Sequence, residues 1–190
     1  AGTPLLSDPG YELVQQVLEA GHQVCPVPGP SAPLTALVVS GLPTDSFTFL
    51  GYIPRKSAER KRMLEDAARS PHTQVFFEVP HRLRASLADL EAAFGSERRM
   101  AACREMTKKF EEVRRGTAAE VRSYFERQEP RGEFTLVVDG AQEQRWTESK
   151  LQAALEDYLQ SGMSRGKAAK ELAKLSGWSR NRIYELSLEE

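Results

Sequence analysis

Cysteine and histidine are scarce in this chain of 190 residues, with two of the first, Cys25 and Cys103, and three of the second, His22, His72 and His81. No grouping of His, Cys and Asp has the spacing of a zinc site, so no metal is expected. Each cysteine sits on an apolar segment, and both are expected as buried free thiols rather than a bridge. Long apolar runs are missing too. Nothing approaches the roughly 18 residues needed to cross a bilayer, and the first residues lack the charged and apolar regions of a signal peptide, so a cytoplasmic protein is the default expectation. Neither a Walker P-loop nor a G-x-G-x-x-G fingerprint occurs. Neither sign of charge dominates, with 26 Lys and Arg against 27 Asp and Glu.

What is present is enough to fold: 40% of residues are hydrophobic and 28% charged, the composition of a globular α/β or helical protein. The near-zero net charge hides an uneven distribution. Residues 162–184 carry Arg165, Lys167, Lys170, Lys174, Arg180 and Arg182 against Glu171 alone, and residues 54–62 carry Arg55, Lys56, Arg60, Lys61 and Arg62 against Glu59. Two readings fit such runs: a solvated helix face, or a surface for a polyanion such as nucleic acid.

Along the chain, Asp8 and Pro9 are placed to start a helix bearing Leu13, Val14, Val17 and Leu18, which Gly21 ends. HQVCPV reads as a short strand, and an apolar helix through Leu34, Leu37 and Val38 runs to Gly41. SFTFLGY and TQVFFEV read as strands flanking a charged helix that starts at Ser57 and runs to about Arg69. Leu83, Leu87, Leu90 and Phe94 then form a core-facing helical stripe closed by Gly95. RMAACR is a further strand, EMTKKFEEVRRG has no clean period, Thr117 and Glu120 form a capping box, and GEFTLVVDG reads as a buried strand. Strands and helices thus alternate to about residue 139, which predicts a largely parallel or mixed sheet with helices on its faces. From AQEQRWTE onward only helices are expected, at about 148–160, 165–176 and 180–188. Their last two, joined through Gly177 with Ser179 as cap, suit either a helix-turn-helix or a small helical clasp.

Three irregular stretches lie where a strand hands over to a helix, the usual ligand position in α/β proteins: AGTPLLSDPG, VPGPSAP and CREMTKKFEE. Glycines admit close backbone approach, and helix starts offer unpaired N–H groups to acceptors. By residue chemistry alone they indicate a small-molecule site, or merely tight turns. Arg104, Glu105, Thr107, Lys108, Glu111 and Glu112 crowd one non-periodic stretch, and EVPHR puts Glu78, His81 and Arg82 at a strand end, where His81 is either a helix-start residue or a base.

The strings AGTPLLSDPG, VPGPSAPLTALVVSGLPTDSFTFLGYIPRK, VFFEVPHR, REMTKKFEE with RRGT, and GEFTLVVDG, in this order, resemble the bacterial ribosomal RNA small subunit methyltransferase I family, within the tetrapyrrole-methylase-like superfamily. The resemblance covers nearly the whole chain. It implies a two-domain α/β enzyme with mixed sheets, usually a homodimer, that holds S-adenosylmethionine between its domains and methylates the ribose 2′-oxygen of a decoding-centre cytidine in 16S rRNA. By position it implies cofactor contacts from Gly2, Thr3, Pro4, Asp8, Ser31, Ala32, Thr107, Gly132, Glu133 and Phe134. On this reading residues 1–43 are the last part of an incomplete first domain, 44–140 a second α/β domain and 141–190 a helical tail. The resemblance also implies that further strands precede AGTPLLSDPG in the family, so the chain is expected to be truncated and weakly active alone.

Methyl transfer from a sulfonium is an in-line displacement governed by alignment and proton removal, with no metal required. Glu105 and Lys108 are the candidates for the proton, or else for holding the cofactor or a phosphate. Arg55, Lys56, Arg82 and Arg104, with Lys167, Lys170, Arg180 and Arg182 in the tail, suit RNA phosphates. Two alternatives stand beside the rRNA enzyme: a small-molecule corrin or porphyrin methylase, and a non-catalytic RNA-binding module. The basic tail favours an RNA partner over a tetrapyrrole.

Overall fold

A computed structural model describes residues 3–141, 146–176 and 178–188. The chain divides into two compact units, Ala1–Ala141 and Gln142–Glu190.

The first unit is built on a five-stranded sheet. Its elements run α1 (Tyr11–Glu19), α2 (Ala32–Ser40), β1 (Phe47–Tyr52), α3 (Ser57–Ala68), β2 (Thr73–Glu78), α4 (Pro80–Phe94), β3 (Arg99–Arg104), β4 (Glu112–Thr117), α5 (Ala118–Arg127) and β5 (Phe134–Val138). The strand order is β1-β2-β5-β3-β4. Only β1 and β2 are parallel; β2–β5, β5–β3 and β3–β4 are antiparallel, so the sheet is mixed.

Side-chain alternation along the central strands divides two cores between the faces. Phe76, Met100, Ala102, Leu136 and Val138 point to one face, where Leu64 of α3, Leu83, Leu87, Leu90 and Phe94 of α4, and Val121 and Phe125 of α5 cover them. Their neighbours Val75, Ala101, Cys103 and Val137 point to the other, where α2 covers them with Ala36 and Leu37. Burial on both faces explains why these strands read as near-continuous apolar runs. The expected Leu83-to-Phe94 stripe and the Thr117–Glu120 capping box are both present.

Three expectations need correction. HQVCPV is not a strand, and Cys25 and Val27 within it are exposed. Among the described residues no strand pairs with it, so its β-prone side chains have no ladder to join. The first helix begins at Tyr11 rather than after Asp8, because Leu5, Ser7 and Gly10 all take positive φ and delay the helical turn. Its Tyr11, Leu13 and Leu18 are exposed. The stretch read as aperiodic ends in a strand: β4 pairs with β3 from Arg104↔Glu112 to Arg99↔Thr117.

The second unit packs α6 (Glu148–Gln160), α7 (Arg165–Ser176) and α8 (Arg180–Leu186) around Leu151, Leu155, Ala168, Ala169, Leu172, Ile183 and Leu186. The hydroxyls of Thr147 and Ser179 cap α6 and α8, accepting from the Lys150 and Arg182 amides. The Trp178 indole N–H donates to the Trp146 carbonyl at 2.6 Å. Gly177 lies outside the described residues.

Candidate functional site

At one end of the sheet the last residues of β1, β2 and β3 meet the first of β5. There they enclose, with the start of α2, a cavity of about 380 Å³. Carboxyl ends of strands are where α/β sheets leave room for ligands, because the chain turns away to its next element there. The turn entering α2 supplies Pro30, Ser31, Ala32 and Thr35. β1 and β2 supply Tyr52 and Phe77, the end of β3 and the turn after it supply Arg104 to Lys108, and the entry to β5 supplies Glu133, Phe134 and Thr135.

Two of these turns carry unusual backbone. Glu105 and Thr107 have φ of 48° and 67°, a region that a β-branched residue such as Thr rarely adopts. The turn is held by its own bonds: Lys108 N–H donates to the Glu105 carbonyl at 2.9 Å, and Thr107 N–H to the Glu111 carboxylate at 2.6 Å. Gly132, at φ 73°, lies against Glu105, so that a Cβ there would fall 2.8 Å from the Glu105 Oε1. The Lys108 Nζ stands 3.4 Å from the Glu105 carboxylate. Behind the turn, Arg104 pairs with Glu112 at 2.5 Å, and Glu112 also accepts from the Tyr124 hydroxyl at 2.5 Å. Burial pushes the Glu112 carboxyl up, but the hydrogen bonds from Tyr124 and Arg104 outweigh it and hold the group below its usual range.

Most of the sequence-predicted site residues converge here. Ser31, Ala32, Arg104, Glu105, Thr107, Lys108, Glu133 and Phe134 line the one cavity, with Gly132 directly beneath Glu105. Thr3 stands behind its wall: its N–H donates to the Pro30 carbonyl at 2.8 Å and its hydroxyl to the Gly29 carbonyl at 3.3 Å. Pro4 and Asp8 are exposed and do not line the cavity, and Gly2 lies outside the described residues. Arg55 and Arg82 line a second cavity, beyond Tyr52. Lys56 is exposed and paired with Glu59. In the second unit Lys167, Lys170 and Arg180 are exposed, while Arg182 pairs with Glu148 and Glu185.

Sequence reasoning missed Tyr52 and Phe77, an aromatic pair with ring centroids 5.4 Å apart. The signal was Gly51, whose φ of 69° coincides with a break in the β1–β2 register between Phe49 and Tyr52. Such a bulge re-aims the next side chain, here Tyr52. Burial and the nearby Glu133 carboxylate raise the Tyr52 phenol above its ordinary value. Cys103 also lines the cavity, but burial pushes its thiol up to about 12, so it is no nucleophile near neutrality. Among the described residues, no group of three or more His, Cys, Asp or Glu could hold a metal ion, and no helix is long and apolar enough to cross a membrane.

A family model described as Tetrapyrrole (Corrin/Porphyrin) Methylases matches residues 1–122. The chain belongs to the tetrapyrrole methylase family. Within that family it is similar to proteins named Ribosomal RNA small subunit methyltransferase I. The Synechocystis sp. protein is 40% identical over 100% of this chain and 69% of its own length. The Mesorhizobium japonicum protein is 42% identical over 100% and 64%, and the Pseudomonas aeruginosa protein 40% over 100% and 68%. The chain therefore spans about two thirds of the length of these curated relatives. Among solved structures, the methyltransferase CobJ superposes with a TM-score of 0.56 at 19% identity, covering 74% of this chain and 62% of that one. Diphthine synthase does so with a TM-score of 0.53 at 11% identity, covering 73% and 57%. At such identities the likeness speaks for the tetrapyrrole methylase fold.

Proposed function

We propose that the chain carries the catalytic cleft of an S-adenosylmethionine-dependent methyltransferase acting on small-subunit ribosomal RNA, with the ribose 2′-oxygen of a decoding-centre cytidine as acceptor. The observation that carries this reading is the single cavity that joins the start of α2 to the turn after β3 and the start of β5. Curated relatives about 40% identical over the whole chain and named for rRNA methylation favour RNA over a corrin or porphyrin substrate.

The residues present fit the cofactor. The Ser31 hydroxyl is buried without a hydrogen-bond partner among the described residues, as a group awaiting a ligand atom would be. The aromatic pair Tyr52 and Phe77 offers a face for a nucleoside, and the Glu133 and Glu105 carboxylates lie within reach of amino and hydroxyl groups. Ser31, Ala32, Thr107, Glu133 and Phe134 would hold S-adenosylmethionine, which supplies an electrophilic methyl on a positively charged sulfur. The chain supplies alignment and a proton acceptor. A ribose hydroxyl is a weak acid, so a carboxylate near the line of attack lowers the barrier by taking its proton as the new bond forms. Glu105 is assigned that role, with the Lys108 ammonium orienting it.

The test is methyl transfer from labelled S-adenosylmethionine to small-subunit rRNA, followed by mapping of methylated riboses. Glu105→Gln is expected to lower kcat by about 10²-fold or more while leaving cofactor affinity, read by calorimetry, within about threefold. Label on a base, or an unchanged rate in Glu105→Gln, would overturn the assignment of acceptor or of base respectively.

A further inference from the structure

A second cavity, of about 500 Å³, is lined by Tyr52 with Arg55, His81 and Arg82. Tyr52 lines both cavities, so they meet at the end of β1. Arg82 is held on two sides, by the Glu78 carboxylate at 2.7 Å and by the Ile53 carbonyl, which accepts from its Nη1 at 2.9 Å. Glu78 is fully buried, and its remaining capacity goes to the Val79 N–H at 2.8 Å and the Ser86 hydroxyl. The Arg82 Nε–H, by contrast, is buried with no acceptor among the described residues. Leaving a buried donor unmet costs about 1–3 kcal/mol, so the chain alone does not satisfy the Arg82 guanidinium that lines this cavity.

The charge and rigidity around it indicate what would satisfy it. Arg82 and Glu78 compensate each other, and Arg55, exposed on the loop after β1, adds an unbalanced positive charge. His81, exposed in the first turn of α4, adds a ring that can donate. The first cavity, by contrast, is lined by the Glu133 carboxylate, which acts on the Tyr52 phenol. The Arg55 loop is fixed rather than loose. Arg60 pairs with Asp89 at 2.6 Å, both largely buried, and donates from Nη1 to the Arg55 carbonyl at 3.2 Å, while Ile53 N–H donates to the Phe77 carbonyl at 3.1 Å. Pre-positioned Arg donors suit an anion with several equivalent oxygens.

We infer that this cavity seats a backbone phosphate of the RNA strand beside the ribose presented in the first cavity, with Arg55, His81 and the Arg82 guanidinium that line it as its donors. The inference rests on the rRNA methyltransferase reading and adds to it the position of the strand: of the two cavities that Tyr52 lines, one grips the phosphate and the other is offered the sugar. Phosphate contacts fix register without reading sequence, which is what a single-nucleotide target needs from the segment next to it.

The test is anisotropy of a fluorescein-labelled small-subunit rRNA fragment, titrated across a salt series with the 190-residue chain and its Arg55→Ala, His81→Ala and Arg82→Lys variants. Arg82→Lys keeps a cation for Glu78 while removing the planar guanidinium from the cavity lining. Each is expected to weaken RNA binding about three- to tenfold, and Arg55→Ala to reduce the slope of log K against log salt by about 0.7, the value for one single-strand phosphate no longer neutralised. S-adenosylmethionine affinity by calorimetry stays unchanged, as does RNA binding in Arg131→Ala, whose partner Glu129 lies outside both cavities. If the unaltered chain binds RNA and Arg55→Ala and His81→Ala match it in affinity and slope, the subsite is wrong and the broader reading stands. If the unaltered chain binds no RNA even at low salt, the broader reading fails first and takes the subsite with it. Micromolar binding of inorganic phosphate that Arg55→Ala abolishes without touching RNA affinity would make this a free-anion site and overturn the inference.

Discussion

At the scale of single residues, the cavity is shaped as much by what is missing as by what is there. Gly132 has no side chain and a φ of 73°, and the Glu105 carboxylate occupies the space a side chain would take. Gly132→Ala therefore acts twice. The left-handed backbone costs about 1 kcal/mol for a residue bearing a Cβ, and the new methyl, 3.1 Å from the Glu105 Cγ, makes that carboxylate swing aside. The expected outcome is a modest fall in stability, about 1–2 kcal/mol by denaturant titration, with a larger fall in methyl-transfer rate than in cofactor affinity. Equal falls in both would mean that Glu105 moves without consequence for the chemistry. Nothing in the string GEF announces this: a glycine before a strand reads as a turn, and its neighbour across the cavity lies 27 residues upstream.

At the scale of elements, the turn after β3 keeps its strained backbone because the hairpin beneath it is braced to α5. Arg104 on β3 and Tyr124 on α5 both bond Glu112 at the start of β4, and the Arg114 guanidinium stacks 4.7 Å over the Tyr124 ring. Tyr124→Phe removes one of these bonds to an ionised group, an expected loss of about 1.5–3 kcal/mol. The sign with pH follows from the direction of the Glu112 shift. A carboxyl held below its usual value stabilises the fold fully above the ordinary carboxylate range, and that contribution fades as pH falls through the depressed folded value. The stability gap between the chain and Tyr124→Phe is thus expected to be full near neutrality and to shrink in acid, by urea titrations at a series of pH values; a gap independent of pH would place the Tyr124 bond elsewhere. This element also shows where the sequence was silent. Apolar strands such as TLVV and MAAC announce themselves because both their faces are buried, whereas EVRRGT forms an edge strand with no fully buried residue, so no apolar period survives.

At the scale of the whole chain, the two units differ in what the sequence let one read and in how an RNA role is tested. The helix pattern of the second was legible, since Ala168, Ala169, Leu172 and Ile183 fall at helical spacing and all are buried. The convergence of Ser31, Glu105 and Glu133 in the first was readable only through the resemblance, because antiparallel pairing of β5 with β2 and β3 brings distant segments to one sheet end, and pairing order leaves no local mark. Charge offers a test of an RNA role for the second unit. On α7, Lys167, Lys170 and Lys174 recur at i, i+3 and i+7 and share one exposed stripe, with Lys174 paired to Glu171, which leaves Lys167 and Lys170 as the cations most available to a polyanion. If that stripe meets RNA, Lys167→Glu with Lys170→Glu lowers affinity for the rRNA fragment and reduces the salt slope by about 0.7 for each phosphate no longer neutralised, while S-adenosylmethionine binding in the first unit is untouched. If it is only a solvated face, the double variant binds RNA with the same slope as the unaltered chain, and RNA recognition then rests on the Arg55 and Arg82 surface of the first unit alone.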